Sequence, residues 1–247
     1  MEHIIYGTHP VLETLKNHPE QVLQILLPEG GLKDKKRQIL SLARQHNIKV
    51  RFLPPHRLDS LAGKQTHQGV IGIVSPHTYA PLDSLVNAWK SSGEKALFVL
   101  LDGVEDPRNF GAIIRTATTV GAHGIIVPKH RSAPLNSAAA KTAAGALPHM
   151  PICRVTNLVS LIGQLKNLGV WVAGTEEAAP RHLYDSDFTV DLAVIIGGEG
   201  KGVRPLVKKE CDFLVSIPAP GPIRSLNASA AASVVLYEIV RQRYYVR

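Results

Sequence analysis

The alternation of apolar and polar positions predicts a chain in two parts. In residues 1–74, short apolar runs of strand type alternate with amphipathic runs of helix type, which is typical of a small α/β domain. The predicted elements are strand Ile4–Tyr6, helix Pro10–Leu15, strand Val22–Leu27, helix Lys33–His46, strand Lys49–Leu53, helix Arg57–Leu61 and strand Val70–Val74. The following stretch, SPHTYAPLDS, contains two prolines and no regular period, so it predicts a linker. The predicted domains are therefore 1–75 and 95–247, with the linker and a first helix at 76–94.

The second part begins with a predicted helix at Leu82–Ser91 and continues with apolar runs that do not alternate. Five such runs predict strands, at Ala96–Leu101, Gly124–Val127, Val170–Ala173, Leu192–Ile196 and Phe213–Ile217. Helices are predicted between and after them, at Phe110–Val120, Ser137–Ala144, Leu158–Leu168, Pro205–Lys209 and Ser225–Arg243. Continuous apolar strands indicate a sheet that is covered on both faces, and hence a parallel α/β core.

In a parallel sheet, ligands bind at the loops that leave the carboxyl ends of the strands. The loop after Leu101 leads into a helix that contains Asn109, Gly111 and Arg115. Asn109 is a good helix N-cap residue. Gly111 costs about 0.5–1 kcal/mol relative to alanine inside a helix, which predicts a close approach to the backbone there. Arg115 is explained equally well by a structural ion pair or by a contact with phosphate or substrate.

Two later loops add to the candidate site. GGEGKG, at Gly197–Gly202, is neither a phosphate-binding Walker loop nor a dinucleotide fingerprint, because its spacing differs from both. It predicts a backbone cradle for a small neutral or zwitterionic ligand, with Glu199 holding a polar or cationic group. The loop after Ile217 contains three prolines, and we expect Ser225 to cap the helix that follows. The small residues early in that helix predict tight packing, either within the chain or across a dimer.

Composition narrows the class of protein. The 247-residue chain has 45% hydrophobic residues and a net charge of +8, which indicate a globular protein with a polyanionic partner such as nucleic acid. No apolar run reaches the roughly 18 residues of a membrane span, and the amino terminus does not resemble a signal peptide. The two cysteines lack metal-ligand spacing, and a disulfide between them is not expected in a cytoplasmic protein, which is the predicted location.

Three motifs in order carry a resemblance to a known family. They are N-x-G-x-x-x-R from Asn109 to Arg115, I-I-G-G-E-G-x-G at Ile195–Gly202 and I-P-x-x-G-x-x-x-S-L-N-x-S at Ile217–Ser229. This order and spacing resemble the SpoU, or TrmH, family of RNA ribose 2′-O-methyltransferases in the SPOUT superfamily. The segments IIYGTHPVLETL and HQGVIG resemble the ribosomal-protein-L30e-like RNA-binding domain of its longer members. The whole chain is most similar to members that methylate a guanosine of large-subunit ribosomal RNA.

The resemblance implies a fold that strand and helix patterns do not reveal, a parallel-sheet SPOUT domain with a deep trefoil knot. It implies S-adenosylmethionine as methyl donor, no metal, and a homodimer whose active site is completed across the interface. The implied cofactor-binding residues are Thr175, Gly197, Gly198, Gly200, Ile217 and Leu226. The implied catalytic residues are Asn109, Arg115, Glu199, Ser225 and Asn227.

The amino-terminal domain is expected to anchor ribosomal RNA through basic residues at the start of one predicted helix. These residues are Lys33, Lys35, Lys36 and Arg37. A solvated helix face explains the same cluster. Two other functions stay open, a transfer-RNA ribose methyltransferase and a non-catalytic RNA-binding factor of ribosome assembly with the same fold. A methyltransferase of the Rossmann type fits poorly, because the glycine loop it needs is missing after Leu101.

Overall fold

The structure is a computed structural model, and it describes residues 3–30, 32–75 and 78–245. The described residues form two compact units. The first contains those up to Thr78 together with Leu135–Ser137, and the second contains Tyr79–Pro134 and the residues from Ala138 onward. Pro76 and His77, in the middle of the predicted linker, lie outside the described residues.

The first unit is a mixed four-stranded sheet with three helices. Its elements are β1 (His3–Tyr6), α1 (Thr8–Asn17), β2 (Val22–Pro28), α2 (Asp34–Gln45), β3 (Lys49–Leu53), α3 (Pro55–Ala62) and β4 (Ile71–Val74). The strand order is β1-β4-β2-β3, with β2 parallel to β3 and β4 antiparallel to both of its neighbours. Val11, Leu15, Ile25, Leu27 and Ile39 form the centre of its core, and each is fully buried. The periodicity of the sequence predicted every one of these strands and helices to within a few residues.

The second unit is a seven-stranded sheet in which every pairing is parallel. Its strands are β5 (Leu97–Asp102), β6 (Gly124–Pro128), β7 (Ile152–Val155), β8 (Trp171–Thr175), β9 (Arg181–His182), β10 (Leu192–Gly197) and β11 (Phe213–Ser216). Its helices are α4 (Leu82–Ser92), α5 (Pro107–Thr119), α6 (Ser137–Ala143), α7 (Leu158–Asn167), α8 (Pro205–Glu210) and α9 (Ala228–Val240), and a π-helical turn at Arg241–Tyr245 follows. The predicted α/β fold with a parallel carboxyl-terminal sheet is confirmed, and the trefoil knot stays a prediction.

Two edge elements of this sheet were not predicted. β7 has the sequence ICRV, in which Arg154 interrupts the apolar run, and β9 has only two residues. Short strands with charged positions lack the continuous apolar pattern by which the buried strands were found. The last helix is also shorter than predicted, because it begins at Ala228 rather than at Ser225.

The order of the strands, β7-β6-β5-β10-β8-β11-β9, determines where a ligand can bind. Along the chain the sheet grows from β5 toward β6 and β7, and later strands are added on the other side of β5. The direction of growth therefore reverses at the boundary between β5 and β10. In open parallel sheets, the loops diverge at such a reversal and leave a crevice at the carboxyl ends of the strands.

Candidate active site

The carboxyl ends of β5 and β10 lie side by side at the reversal of strand order. Asp102, the last residue of β5, is paired with Gly197, the last residue of β10. The amide of Gly198 donates to the carbonyl oxygen of Asp102 at 2.9 Å, which extends this contact into the loops. Two of the loops chosen from the sequence are therefore neighbours, although they are far apart along the chain.

The glycines of GGEGKG are required chiefly by the backbone of the protein itself. A β-carbon on Gly198 would overlap the carbonyl group of Gly103, and one on Gly197 would overlap the backbone of Gly202. Gly200 and Gly202 have φ angles of 82° and 59°, which L-residues with a side chain rarely adopt, and the amide of Gly202 closes the turn on the carbonyl of Gly198 at 3.1 Å. The run therefore forms a tight turn, Gly198–Gly202, that packs against the loop after β5, and its role as a cradle for a ligand stays a prediction.

A buried carboxylate that the sequence patterns did not single out fixes this turn. The side chain of Asp102 is 1% exposed and accepts from the backbone amide of Arg204 at 2.8 Å and from its Nε at 2.6 Å. A buried charge needs such partners, because desolvation penalises the carboxylate unless it is paired and hydrogen-bonded. Asp102 thus ties the end of β5 to the start of α8. Its position at the end of an apolar strand was the feature of the sequence that could have identified Asp102.

Three of the five predicted catalytic residues meet in one hydrogen-bonded network. Nδ2 of Asn109 donates to Oε1 of Glu199 at 2.8 Å, and Nδ2 of Asn227 donates to the same oxygen at 2.6 Å. The Asn227 amide also donates to Oδ1 of Asn109 at 3.0 Å. One carboxylate therefore orients two amides that come from α5 and from the start of α9.

The helix caps differ from those predicted. Asp106, not Asn109, caps α5, because its Oδ1 accepts from the amide of Arg108 at 2.8 Å and Pro107 occupies the first helical position. Asn227, not Ser225, caps α9, with its Oδ1 accepting from the amide of Ser229 at 2.9 Å. The side chain of Asn109 is consequently available for Glu199, and Asn227 serves the helix and the network at once.

Gly111 allows α6 to approach α5 closely. A β-carbon at this position would overlap the carbonyl oxygen of Ala139 and the side chain of Thr142. The close approach that the sequence predicted is present, and a neighbouring helix rather than a ligand makes it.

A cavity of about 470 Å³ lies beside the network. All six predicted cofactor-binding residues line it, together with three of the predicted catalytic residues, which are Glu199, Ser225 and Asn227. The volume lies in the range of about 300–1,000 Å³ that is usual for small-molecule sites. Its wall combines apolar side chains such as Ile217 and Leu226 with backbone and carboxylate groups, a set that suits a nucleoside with a charged tail.

A second cavity, of about 440 Å³, adjoins the first along the Gly198–Gly202 turn. Both cavities are lined by Glu199, whereas Asn109 lines only the second. The loop after β5 forms much of its remaining wall, and Arg131 and Arg204 contribute cationic side chains. The Asn109–Glu199–Asn227 network therefore lies where two cavities meet.

Arg115 is not brought to this network within the single chain. It is exposed on α5 and lines neither cavity, and its guanidinium makes no hydrogen bond or ion pair with any residue that the structure describes. It lies six residues after Asn109, and at about 100° per residue the two side chains leave the helix in different directions. The next residue, Thr116, contacts Ser233 of α9 at 3.2 Å between hydroxyl oxygens, so Arg115 lies at the edge of the α5–α9 contact.

The predicted RNA-binding residues lie at the start of α2 in the first unit. Lys33 immediately precedes the helix, and Lys35, Lys36 and Arg37 fall within its first turn. All but Lys36 are exposed, and the amine of Lys36 lies against the backbone of Gly69.

In residues 3–30, 32–75 and 78–245, no group of three or more histidine, cysteine, aspartate or glutamate side chains is placed to hold a metal ion. Within the same ranges, every helix is too short or too polar to cross a membrane.

Both units match known protein families. The SpoU rRNA Methylase family matches residues 96–237, and the RNA 2′-O ribose methyltransferase substrate-binding domain matches residues 4–80. Among curated proteins, YacO of Bacillus subtilis, assigned to the TrmH family of tRNA/rRNA methyltransferases, is 41% identical over 239 residues, which are 97% of this chain and 95% of YacO. A Staphylococcus aureus protein assigned to the same family is 41% identical over 244 residues, which are 98% of this chain and 97% of that protein.

Solved structures agree with this relationship. The SpoU methyltransferase AviRb from Streptomyces viridochromogenes, in complex with AdoMet, has a TM-score of 0.63 and 28% identity over 98% of this chain and 90% of AviRb. The TrmH/SpoU tRNA modifying enzyme of A. aeolicus has a TM-score of 0.56 and 30% identity over 61% of this chain and 76% of that enzyme. From the matches to both units and the arrangement of the three motifs, we conclude that this chain belongs to the SpoU/TrmH family of RNA methyltransferases.

Proposed function

We propose that the protein transfers a methyl group from S-adenosylmethionine to the 2′-hydroxyl of a guanosine ribose in large-subunit (23S) ribosomal RNA. The observation that carries the proposal is the network of Asn109, Glu199 and Asn227 where two cavities meet. Two adjoining cavities give a donor and an acceptor separate places, and the network gives polar groups at their boundary.

The first cavity is the proposed cofactor site. AviRb has been solved in complex with AdoMet, and the six residues implied by the family motifs line the first cavity of this chain. We assign Thr175, Gly197, Gly198, Gly200, Ile217 and Leu226 to S-adenosylmethionine. When bound, this cofactor supplies a methyl group on an already activated sulfonium. The protein must then orient the acceptor and assist the loss of its proton.

The side chains around the network provide that assistance. Glu199 fixes the two amides of Asn109 and Asn227, which leaves little freedom in the wall that the ribose meets. Ser225 extends this polar wall on the cofactor side. Positioning of this kind lowers a reaction barrier by several kcal/mol, because the reacting groups no longer search for each other.

Arg115 acts as the electrostatic partner of the acceptor in this mechanism. A guanidinium keeps its proton in water at any physiological pH, so it is poorly suited to act as a base. A guanidinium that donates to the target phosphate or hydroxyl stabilises the alkoxide as it develops. The exposed position of Arg115 in the single chain supports a role toward the active site of a second copy.

This geometry supports a homodimer. Arg115 is exposed and lies at the edge of the α5–α9 contact, while Asn109, Glu199 and Asn227 meet within one chain. Large apolar side chains are also exposed in and after the loop that leads into α9, with Ile223 77% and Tyr237 53% exposed. A symmetric dimer that covers such residues brings Arg115 of one protomer toward the network of its partner.

The first unit anchors the RNA in this proposal. A helix amino terminus carries partial positive charge, so cations there oppose the helix dipole. Lys33, Lys35, Lys36 and Arg37 are therefore not explained by helix stability. They are explained by contacts with RNA phosphates, which attract clustered cations. A cytoplasmic location fits such a substrate.

Ribosomal RNA is preferred over transfer RNA on two grounds. The family that matches the second unit is described as an rRNA Methylase family, and residues 4–80 match an RNA 2′-O ribose methyltransferase substrate-binding domain. The match to the tRNA modifying enzyme of A. aeolicus covers 61%. The relatives assigned to tRNA/rRNA methyltransferases keep transfer RNA as the alternative substrate.

The deciding experiment incubates the protein with labelled S-adenosylmethionine and unmodified large-subunit ribosomal RNA, with transfer RNA in parallel. Mapping of linkages that resist alkali identifies the methylated ribose. Product at one guanosine of the ribosomal RNA is expected. Product on transfer RNA alone would contradict the substrate, and no product on either RNA would favour a non-catalytic binding factor.

A further inference from the structure

The second cavity is lined by three cationic side chains, two of which have no partner among the described residues. Arg131, Lys201 and Arg204 all line it. Arg204 is paired with Asp102. The side chains of Arg131 and Lys201 make no hydrogen bond or ion pair with another residue in the described part of the chain.

Most acidic residues of the same cavity already have hydrogen-bond or ion-pair partners. Asp102 is paired with Arg204, and Asp106 caps α5. Glu199 accepts from two amides. Glu105 is the remaining acid in the wall, so two cations and one carboxylate that line the cavity have no partner among the described residues. Arg131 and Lys201 therefore have donors free for the oxygen atoms of a ligand such as a phosphate, in a wall whose three cations and four acids sum to a formal charge of −1.

Arg131 is held in a backbone conformation that disfavours its own residue type. Its φ angle is 57°, in the left-handed region where the β-carbon crowds the backbone. Residues with a large side chain persist in this region where the surrounding structure holds them, and such positions are common at binding sites. Glycine would adopt this φ angle without strain, but it would not provide a guanidinium.

The loop that carries Arg131 is fixed on both sides of it. The hydroxyl of Ser132 donates to the carbonyl oxygen of Pro128 at 2.6 Å. The amide of Ala133 donates to the carbonyl oxygen of Val104 at 2.8 Å, and Val104 itself lines the second cavity. These two hydrogen bonds hold the loop against the wall of the second cavity, which Arg131 also lines. A pre-organised arginine loses little freedom when it binds a phosphate, and its planar guanidinium donates two parallel hydrogen bonds.

We propose that the second cavity receives the acceptor nucleotide and that Arg131, aided by Lys201, binds the phosphate next to the target ribose. This inference rests on the proposed function, because it gives the acceptor the cavity that adjoins the cofactor site. It assigns Arg131 as a substrate-binding residue outside the three family motifs. Asn109 and Glu199 then meet the ribose of a nucleotide whose phosphate is already held.

The test compares Arg131→Gly with Lys209→Ala. Glycine readily adopts a positive φ, so Arg131→Gly removes the guanidinium and relieves the backbone, and the loop is expected to fold. Lys209 is exposed on α8 and lines neither cavity, so Lys209→Ala removes the same single charge elsewhere on the second unit. Arg131→Lys keeps the charge but lacks the planar pair of donors.

Binding of an unmodified large-subunit ribosomal RNA transcript is measured by filter retention at several KCl concentrations. For Arg131→Gly, we expect the slope of log affinity against log salt to become shallower by about 0.7–0.9, the change for one lost phosphate contact. The KM for RNA is expected to rise about tenfold, with partial recovery in Arg131→Lys. The calorimetric Kd for S-adenosylmethionine is expected to stay at the wild-type value.

Equal slopes and equal KM values for Arg131→Gly and Lys209→Ala would overturn the inference. Loss of S-adenosylmethionine binding in Arg131→Gly would also overturn it, because Arg131 would then serve the cofactor site. Failure of the proposed function is recognised separately, as absence of methyl transfer by the wild-type protein. The salt slope requires no turnover and still decides the role of Arg131 in that case.

Discussion

Nδ2 of Asn227 lies 2.6 Å from Oε1 of Glu199, so the amide that begins α9 is joined to the turn that follows β10. The same asparagine caps its helix through Oδ1, which accepts from the amides of Ser229 and Ala230. Oδ1 of Asn227 therefore stabilises the helix, whereas its Nδ2 orients Glu199. A substitution that removes only one of these two contacts distinguishes the effect on helix stability from the effect on Glu199.

Asn227→Ser is expected to lower activity strongly without much loss of stability. Serine is a good helix cap but is too short to reach Glu199, so the free energy of unfolding should fall by less than about 0.5 kcal/mol. Asn227→Ala should lose about 1 kcal/mol, because the cap is removed as well. Methyl transfer should fall about a hundredfold in both, since misplaced reacting groups cost a factor of this size. Urea unfolding and single-turnover methylation measure the two effects.

Asn157 provides the matched control for this series. Its Oδ1 caps α7 by accepting from the amide of Val159 at 2.9 Å, and it lines neither cavity. Asn157→Ala should lose about 1 kcal/mol of stability and keep its methylation rate. If Asn227→Ser retained wild-type activity, the catalytic assignment of Asn227 would be wrong.

Two helical glycines should respond to alanine in opposite directions. Gly163 in α7 has no heavy atom within 4 Å of an added β-carbon, whereas at Gly111 that carbon would overlap the carbonyl of Ala139. Gly163→Ala should therefore stabilise the second unit by about 0.5–1 kcal/mol, and Gly111→Ala should destabilise it by about 1–3 kcal/mol. Both tryptophans, Trp89 and Trp171, belong to the second unit, so urea unfolding followed by tryptophan fluorescence reports on it. A stabilised Gly111→Ala would contradict the close contact between α5 and α6.

Mixed dimers should distinguish a shared active site from a self-contained one. Arg115→Ala and Glu199→Gln are each expected to lose methyl transfer when assayed alone. When the two variants are co-expressed, half of the dimers are heterodimers, and one of the two sites in each then combines Arg115 with Glu199. In a symmetric two-fold dimer this restores about a quarter of the wild-type activity. Recovery near zero would show that both residues serve the same protomer, which would contradict the proposed exchange.

The two free thiols should be unreactive in the folded protein. Burial raises the pKa of Cys153 to about 11 and that of Cys211 to about 12. An exposed thiol has a pKa near 8.5, so at about pH 8 the native protein should react with iodoacetamide at least about a hundredfold more slowly than the urea-unfolded chain. Equal rates in the two states would contradict the burial of Cys153 and the partial burial of Cys211.

The same shifts determine how stability depends on alkaline pH. Because the folded pKa values exceed the unfolded one, the unfolded chain loses its thiol protons first as the pH rises. The contribution of the thiols is therefore complete below about pH 8.5 and is lost as the pH rises through about 11 to 12. Replacement of both cysteines with serine should make the decline in the free energy of unfolding shallower over this range. If the decline in the free energy of unfolding stayed unchanged, groups other than the two thiols would be responsible for it.

Much of the fold could be read from local pattern. The apolar run at Ala96–Leu101 predicted β5, which the structure places at Leu97–Asp102, and the other buried strands followed in the same way. Strand β7 was missed because Arg154 breaks its pattern at the edge of the sheet. The misplaced cap of α5 had a usable signal, because Pro107 favours the first position of a helix and Asp106 directly precedes it. The cap of α9 had no such signal, since Ser225 and Asn227 are both good caps.

The candidate site was predicted from motifs, and its arrangement came from the fold. The sequence by itself showed polar residues and glycines after the strands. Such residues are costly at those positions unless the structure or the function requires them, so they marked the candidate site. Only the tertiary structure decided what requires them. Gly198 is needed because the carbonyl of Gly103 occupies the space of its β-carbon. Glu199 meets Asn109 although they lie 90 positions apart in the chain. Such contacts depend on the order of parallel strands, and the order is fixed by packing between distant segments, which no local pattern records.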